Sequence, residues 1–114
     1  MISPLAYVDS AAKIGKNVTI QPFAFIEGNV EIGDDCIIMS GAKILHGTRM
    51  GKGNKVHHNA VLGAEQQDFH YTGENSMLII GDNNAIRENV VVSRATHSGS
   101  ATRIGNANYL MDDV

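Results

Sequence analysis

The chain has 114 residues, of which 43% are apolar, enough for one small domain with a modest core. Nine basic and twelve acidic residues give a net charge of −3, and the basic residues are scattered singly. This pattern excludes nucleic acid and membrane insertion as main interactions. The start of the chain has no leader pattern, so we expect a cytoplasmic protein. The single cysteine, Cys36, excludes an internal disulfide and is expected to be a small buried residue.

An aliphatic residue recurs every six positions through the first half of the chain. The members of this column are Ile2, Val8, Ile14, Ile20, Ile26, Ile32, Ile38, Ile44, Met50, Val56 and Leu62. A period of six fits neither an α-helix nor a simple hairpin array, but it is typical of short strands joined by tight corners in a solenoid. We therefore expect this column to be buried in a narrow interior.

Glycine adds a second period, because Gly15, Gly33 and Gly51 are eighteen residues apart and each follows a member of the aliphatic column. Three hexapeptides are therefore expected to form one coil, with these glycines where the backbone needs a positive φ or a close approach. Residues that suit tight corners also fill the fourth hexapeptide position, namely Asn17, Asn29, Asp35, Gly41, Gly47, Gly53 and Asn59. The predicted fold class is all-β, a triangular parallel β-helix of about six coils.

Two segments interrupt the repeat without changing its phase. Aliphatic residues are missing where they are due near 64–79 and 96–103, yet the column resumes in phase at Ile80 and again at Ile104. We interpret both segments as loops that protrude from a single β-helix domain spanning 1–114. Loops on a rigid scaffold are where function concentrates.

The first loop and the run after it carry the most specific pattern in the sequence. The pattern consists of Gln67, Asp68, Tyr71, Gly73, Glu74, Ile80, Gly81, Asp82, Asn84, Ile86, Arg87 and Glu88, with Leu110 and Met111 further on. With these residues the chain resembles the hexapeptide-repeat acyltransferases, and within them the UDP-N-acetylglucosamine acyltransferases of lipid A biosynthesis. The resemblance implies a left-handed β-helix and a homotrimer. The hand comes from the resemblance alone, since parallel crossovers are otherwise right-handed.

The resemblance implies that Gln67, Asp68 and His70 bind the acceptor sugar. A carboxylate accepts hydrogen bonds from vicinal hydroxyls, and an amide both donates and accepts, which suits an N-acetyl sugar. The chain departs from the family where His70 replaces a lysine, Gln66 an asparagine, and Ser93 a histidine. Because a histidine is shorter than a lysine and mostly neutral near pH 7, we expect a weaker or differently shaped contact at His70.

The resemblance places the catalytic histidine outside this chain. In the family, three residues separate the Leu–Met pair from the histidine that acts as general base, and here those three are Asp112, Asp113 and Val114. We therefore expect no catalytic residue here and interpret the chain as an N-terminal part of the enzyme, truncated at its C-terminal end. The implied partners are UDP-N-acetylglucosamine and acyl carrier protein, whose phosphopantetheine thioester is the acyl donor, and no bound cofactor is implied.

Other function classes stay open on the residues alone. A non-catalytic β-solenoid for binding or scaffolding would share the repeat, although the outward positions lack the threonine columns of ice-binding solenoids. A hexapeptide acetyltransferase that uses acetyl-coenzyme A would share the solenoid but not the Gln–Asp loop. We also expect Arg87 and Glu88 to form a structural ion pair beside the loop.

The histidines do not predict a metal site. His57 and His58 are adjacent, so in a strand they point to opposite faces, and His46, His70 and His97 share no column. A hexapeptide carbonic anhydrase, which needs three histidines on one zinc, is therefore disfavoured. We expect all five histidines at solvated outer positions.

Overall fold

The computed structural model describes residues 1–65, 76–95 and 99–111, and within these ranges it contains strands and corners but no helix. The strands pair in parallel in three sheets of five. Sheet one contains β1 (Tyr7–Val8), β4 (Phe25–Ile26), β7 (Lys43–Ile44), β10 (Val61–Ala64) and β13 (Val91–Ser93). Sheet two contains β2 (Lys13–Ile14), β5 (Glu31–Ile32), β8 (Thr48–Met50), β11 (Met77–Ile80) and β14 (Ala101–Ile104). Sheet three contains β3 (Thr19–Ile20), β6 (Ile37–Ile38), β9 (Lys55–Val56), β12 (Ala85–Ile86) and β15 (Tyr109–Leu110).

Successive strands lie on sheets one, two and three in turn, so the chain forms a left-handed parallel β-helix with three strands in each coil. The chain makes about four turns between the first and last strand of each sheet, and the expected number of about six coils is wrong. The first step along sheet one pairs Tyr7 with Phe25, eighteen residues on, whereas the last step pairs Val61 with Val91, thirty residues on. Insertions therefore lengthen the chain without adding strands.

The aliphatic column fills the interior, as the hexapeptide repeat predicts. Ile26, Ile38, Ile44 and Leu62 have no exposed surface, and Cys36 is buried among them. The expectation is wrong at the start of the column, because Ile2 is 46% exposed and the next two members are half-buried. The first coil has a neighbouring coil on one side only, so its side chains are covered from one direction.

The corners confirm the role of the fourth hexapeptide position. All seven Asn, Asp and Gly residues predicted there have a positive φ, from 54° at Asn29 to 88° at Gly47. The glycines of the eighteen-residue period serve a different purpose, since a Cβ on Gly33 would lie 2.6 Å from the carbonyl carbon of Gly51 in the next coil. These glycines are therefore required by the close approach of stacked backbones.

A ladder of asparagines replaces apolar packing at one corner of the later coils. The side-chain oxygen of Asn54 accepts hydrogen bonds from the backbone and side-chain nitrogens of Asn84, at 2.9 and 3.1 Å. The side-chain oxygen of Asn84 in turn accepts from the backbone nitrogen of Asn108, at 2.7 Å. Because Asn54 and Asn84 are almost fully buried, these bonds are what makes their burial tolerable.

The strands extend into both segments that the repeat assigns to loops. Strand β10 continues to Ala64, and β11 already begins at Met77, so 77–79 pair with neighbouring coils instead of protruding. Strand β14 likewise begins at Ala101. Backbone pairing at these margins does not need an aliphatic residue in the expected column, which is why the sequence pattern misplaces them. In the described ranges, no helix is long and apolar enough to cross a membrane.

Adjacent isoleucines of β6 test the assignment of inner and outer faces. Ile38→Ala should lower the free energy of unfolding by about 2–5 kcal/mol, because it leaves a cavity in the interior. Ile37→Ala, on the outer face, should lower it by about 1 kcal/mol at most. Chemical denaturation of both variants measures the difference, and equal losses would contradict the proposed interior.

Candidate functional site

Both insertions leave the β-helix at the same corner. The chain passes from sheet one to sheet two between β10 and β11 and again between β13 and β14. These two passages, with Gly63 and Ala64 at the end of β10, contain the described residues 63–65, 76, 94–95 and 99–100. We call this the loop corner. Because the coils stack in register, the two passages lie against each other and against the earlier passages of 27–30 and 45–47.

The predicted sugar-binding residues Gln67, Asp68 and His70 lie outside the described residues. What the structure places is the pair of ends that lead to them, Glu65 after β10 and Ser76 before β11. The assignment of these three residues to the acceptor stays a prediction. The positions of these two ends fix where the segment that carries the three residues joins the β-helix.

The chain leaves sheet one through a β-bulge at Gly63. The register of β10 with β13 shifts between Leu62 and Ala64, and Gly63 has a φ of 83°. A Cβ on Gly63 would collide with the side-chain oxygen of Thr48. A bulge of this kind redirects a strand, and only glycine fits it here.

Arg94 occupies the inside of the loop corner. Its side chain belongs to the second passage, is 3% exposed, and donates from Nε to the carbonyl oxygen of Gly63 at 2.9 Å. Its backbone nitrogen donates to the carbonyl oxygen of Ala64 at 2.8 Å. Arg94 thus holds two consecutive residues at the point where the first insertion departs.

His46 and Glu27 continue this set of contacts across earlier coils. Nη1 of Arg94 lies 2.6 Å from Nε2 of His46, and Nδ1 of His46 lies 3.3 Å from Oε1 of Glu27. The same carboxylate oxygen accepts a hydrogen bond from the backbone nitrogen of His46 at 2.9 Å. These contacts, together with the hydrogen bond from Arg94 to Gly63, therefore link four successive coils at the corner between sheets one and two.

Gly47 lets both insertions approach the corner closely. A Cβ at this position would lie 2.7 Å from the carbonyl oxygen of Ser76 and 3.2 Å from Cδ of Arg94. The end of the first insertion and the side chain from the second therefore pack on the same glycine. Gly47 also has a positive φ, so any other residue would be strained there.

Sequence reasoning missed this arrangement. His46 has the solvated position that was expected, with its side chain 44% exposed, but its contacts with Glu27 and Arg94 were not expected. The available signal was indirect, since Arg94 lies in the run where Ser93 departs from the family pattern. Nothing periodic connects residues 27, 46 and 94.

The predicted ion pair of Arg87 and Glu88 is present, with Nε of Arg87 2.9 Å from Oε1 of Glu88. Its expected place beside the loop is wrong, because it lies at the corner between sheets three and one. The guanidinium of Arg87 also donates to the hydroxyl of Tyr109 and lies 5.6 Å from the centroid of that ring. The pair joins successive coils.

His57 completes this second cluster, with Nδ1 3.7 Å from Oε2 of Glu88 and a side chain that is only 13% exposed. It is not the solvated residue that the sequence suggested. Burial lowers the pKa of His57. The hydrogen bond from Arg87 lowers the pKa of Glu88 to about 2. Among the residues that the structure places, no three His, Cys, Asp or Glu side chains are grouped to hold a metal ion.

A surface hollow lies on the outer face of sheet two, where Lys13, Glu31 and Arg49 line it together with Asn29 and Val30 of the adjoining corner. Arg49 is held by an ion pair with Glu31 at 3.3 Å and by the backbone oxygen of Asn29 at 2.6 Å. The carboxylate of Glu31 offsets the charge of Arg49, so Lys13 is the remaining charged side chain in the lining.

Comparison with known proteins matches this architecture. The profile described as "Bacterial transferase hexapeptide (six repeats)" matches residues 11–44 and 29–64. A curated relative from Chlamydia caviae, an acyl-(acyl-carrier-protein)–UDP-N-acetylglucosamine O-acyltransferase, is 38% identical over 110 residues. The match includes 96% of this chain and 39% of that relative.

Residues 11–64 are therefore similar to the bacterial hexapeptide-repeat transferases. A solved UDP-N-acetylglucosamine acyltransferase from Bacteroides fragilis superposes with a TM-score of 0.94 at 53% identity, covering 97% of this chain and 44% of that one. The corresponding enzyme from Francisella novicida superposes with a TM-score of 0.91 at 36% identity, covering 97% and 41%. This hexapeptide-repeat chain thus spans about two fifths of the length of these relatives.

The Arg87–Glu88 pair predicts a specific pH dependence. The pKa of Glu88 is lowered from 4.5 to about 2, so the stability contributed by its carboxylate is present above pH 4.5 and is lost as the pH falls from about 4.5 to about 2. The difference in Tm between the parent and the Glu88→Gln variant should therefore shrink as the pH falls through this window. In an Arg87→Gln background the same substitution should produce a much smaller change, because the main donor is gone. If the Glu88→Gln substitution has the same pH-dependent effect on Tm in both backgrounds, Arg87 is not the cause of the lowered pKa of Glu88.

Proposed function

We propose that this chain forms the acceptor-binding part of a cytoplasmic enzyme that transfers a 3-hydroxyacyl group to the 3-hydroxyl of UDP-N-acetylglucosamine, the first step of lipid A biosynthesis. The observation that carries the proposal is the 53% identity with the Bacteroides fragilis acyltransferase over 97% of this chain. The name of the Chlamydia caviae relative supplies both substrates, acyl carrier protein and UDP-N-acetylglucosamine.

The reaction that we propose needs no bound cofactor. The sugar 3-hydroxyl attacks the carbonyl carbon of the phosphopantetheine thioester, so a C–O bond forms and the C–S bond breaks. The proton leaves the hydroxyl through a general base and ends on the departing thiol. In this scheme, Gln67 and Asp68 orient the sugar by hydrogen bonds, with His70 beside them.

The loop corner supports this assignment because it gives the insertion a fixed origin. The bulge at Gly63 and the buried side chain of Arg94 hold the departing strand against the β-helix. A substrate held by residues on such a base loses orientational freedom before the reaction begins, which is a large part of catalysis.

We further propose that the enzyme is a homotrimer in which sheet one faces a neighbouring subunit. The outward column of sheet one contains Tyr7, Phe25, Lys43, Val61 and Val91. Tyr7, Phe25 and Val91 are 50%, 37% and 58% exposed, and the rings of Tyr7 and Phe25 stack 5.0 Å apart. Four of these five residues are apolar, with Lys43 between them, and exposed apolar side chains grouped on one face are typical of a protein interface.

A chimera tests the activity despite the shorter length of this chain. Residues 1–111 replace the matching segment of the Bacteroides fragilis enzyme, which supplies the remainder of the protein. We expect the chimera to transfer a 3-hydroxyacyl group from acyl carrier protein to UDP-N-acetylglucosamine, and the 114-residue chain alone to show no turnover. A folded chimera without activity would contradict the proposed function.

Asp68 tests the acceptor site within that chimera. Asp68→Asn removes a charged acceptor, so kcat/KM should fall by an amount equivalent to about 1.5–3 kcal/mol. The matched control is Asp35→Asn, which makes the same change at an exposed corner where an asparagine tolerates the φ of 62°. Steady-state kinetics should show the loss only for Asp68, and equal effects would exclude it from the site.

The oligomeric state of the chimera tests the interface. Val91→Glu places a charge in the apolar column of sheet one and should convert trimers to smaller species in sedimentation velocity. Ala85→Glu makes a comparable change on the outer face of sheet three and should leave the trimer intact. If Ala85→Glu dissociates the trimer and Val91→Glu does not, the interface lies on sheet three and the proposed assignment to sheet one is wrong.

A further inference from the structure

We propose that Arg94 is a positioning residue for the acceptor sugar, and that its own position is set by His46 and Glu27. The inference rests on the proposed function. It assigns to Arg94 the task of holding the departing end of the segment that carries Gln67 and Asp68. Arg94 need not touch the sugar to do so, since it acts through the backbone of Gly63 and Ala64.

The burial of Arg94 shows that its contacts are specific. A guanidinium that is 3% exposed has lost most of its water, and such a charge is stable only where its N–H groups find acceptors. Nε donates to the carbonyl of Gly63 and Nη1 is directed at the ring of His46. Two acceptors in different directions fix the plane of the guanidinium, which a lysine could not reproduce.

The contact with Arg94 favours one tautomer of the His46 ring. An arginine has only donors, so a hydrogen bond across the 2.6 Å between Nη1 and Nε2 of His46 requires Nε2 to be the acceptor. In the neutral ring the proton is then on Nδ1, which faces Oε1 of Glu27 at 3.3 Å. Glu27 thus favours the tautomer that can accept from Arg94.

A change in the contacts among Glu27, His46 and Arg94 would alter how the first insertion is attached to the β-helix. The bulge at Gly63 turns its carbonyl to Nε of Arg94, and Ala64 accepts from the backbone nitrogen of Arg94. The other end of the insertion, at Ser76, packs on Gly47 together with Cδ of Arg94. If Arg94 shifts, the departing end loses its contacts at Gly63 and Ala64, and small shifts of binding groups reduce affinity strongly.

Nitrogen NMR of the isotope-labelled 114-residue chain tests the His46 arrangement without any activity. At pH 8 the His46 ring should show a protonated Nδ1 and an unprotonated Nε2, as a single tautomer. Glu27→Leu should shift the ring towards the mixture of tautomers found in free imidazole. A wild-type ring protonated on Nε2, or averaged between tautomers, would overturn the inference.

Kinetics of the chimera test the effect on the acceptor. His46→Leu removes the acceptor for Arg94 and should raise the KM for UDP-N-acetylglucosamine about tenfold, with kcat and the KM for the acyl donor nearly unchanged. His46→Gln restores an oxygen acceptor and should restore most of the affinity. The matched control is His57→Leu, which breaks the other histidine–glutamate pair, at the corner between sheets three and one, and should leave all three constants unchanged.

The outcomes separate this inference from the proposed function. An inactive parent chimera overturns the proposed function and, with it, this inference. An active parent whose His46→Leu variant is folded by circular dichroism and keeps its KM for the acceptor overturns this inference alone. The same holds if His57→Leu raises that KM equally, because the effect would then be a general loss of stability. Arg94→Met, checked by thermal unfolding, should repeat the His46→Leu effect if it folds.

Discussion

Parallel, in-register hydrogen bonding between successive coils is the constraint on which the rest of the structure depends. Each strand is only two to four residues long, so no strand is stable without the coils above and below it. The aliphatic column supplies the burial that keeps these short strands together. Any insertion must therefore return the chain to the same phase, and the spacings of thirty residues from Val61 to Val91 and twenty-four from Ala85 to Tyr109 are both multiples of six.

The stacking of coils also brings both insertions to one corner. Because both insertions depart between sheets one and two, residues far apart in the sequence meet there, as Arg94 and His46 do across 48 positions. A buried charge in this place is costly, and the contacts of Arg94 with the carbonyl of Gly63 and the ring of His46 offset part of that cost. The second cluster, of Arg87, Glu88 and His57, lies at the corner between sheets three and one and joins successive coils there.

The interior and the corners could be predicted because their causes are local and periodic. An aliphatic residue every sixth position has only one way to be buried in short parallel strands, and Asn, Asp and Gly at the fourth position mark a positive φ directly. The loop corner could not be predicted in the same way. Arg94, His46 and Glu27 follow no common period, and their contacts depend on a bulge at Gly63 that the sequence shows only as one more glycine. The assignments of Gln67, Asp68 and His70 come from resemblance and stay predictions.

The central claim is that the acceptor sugar binds at the corner between sheets one and two. A crystal structure of the chimera soaked with UDP-N-acetylglucosamine tests it most directly. The account predicts sugar density at that corner, with the hydroxyl and N-acetyl groups within hydrogen-bond distance of Asp68 and Gln67. Sugar density at the corner between sheets three and one, or on the outer hollow beside Arg49, would contradict it.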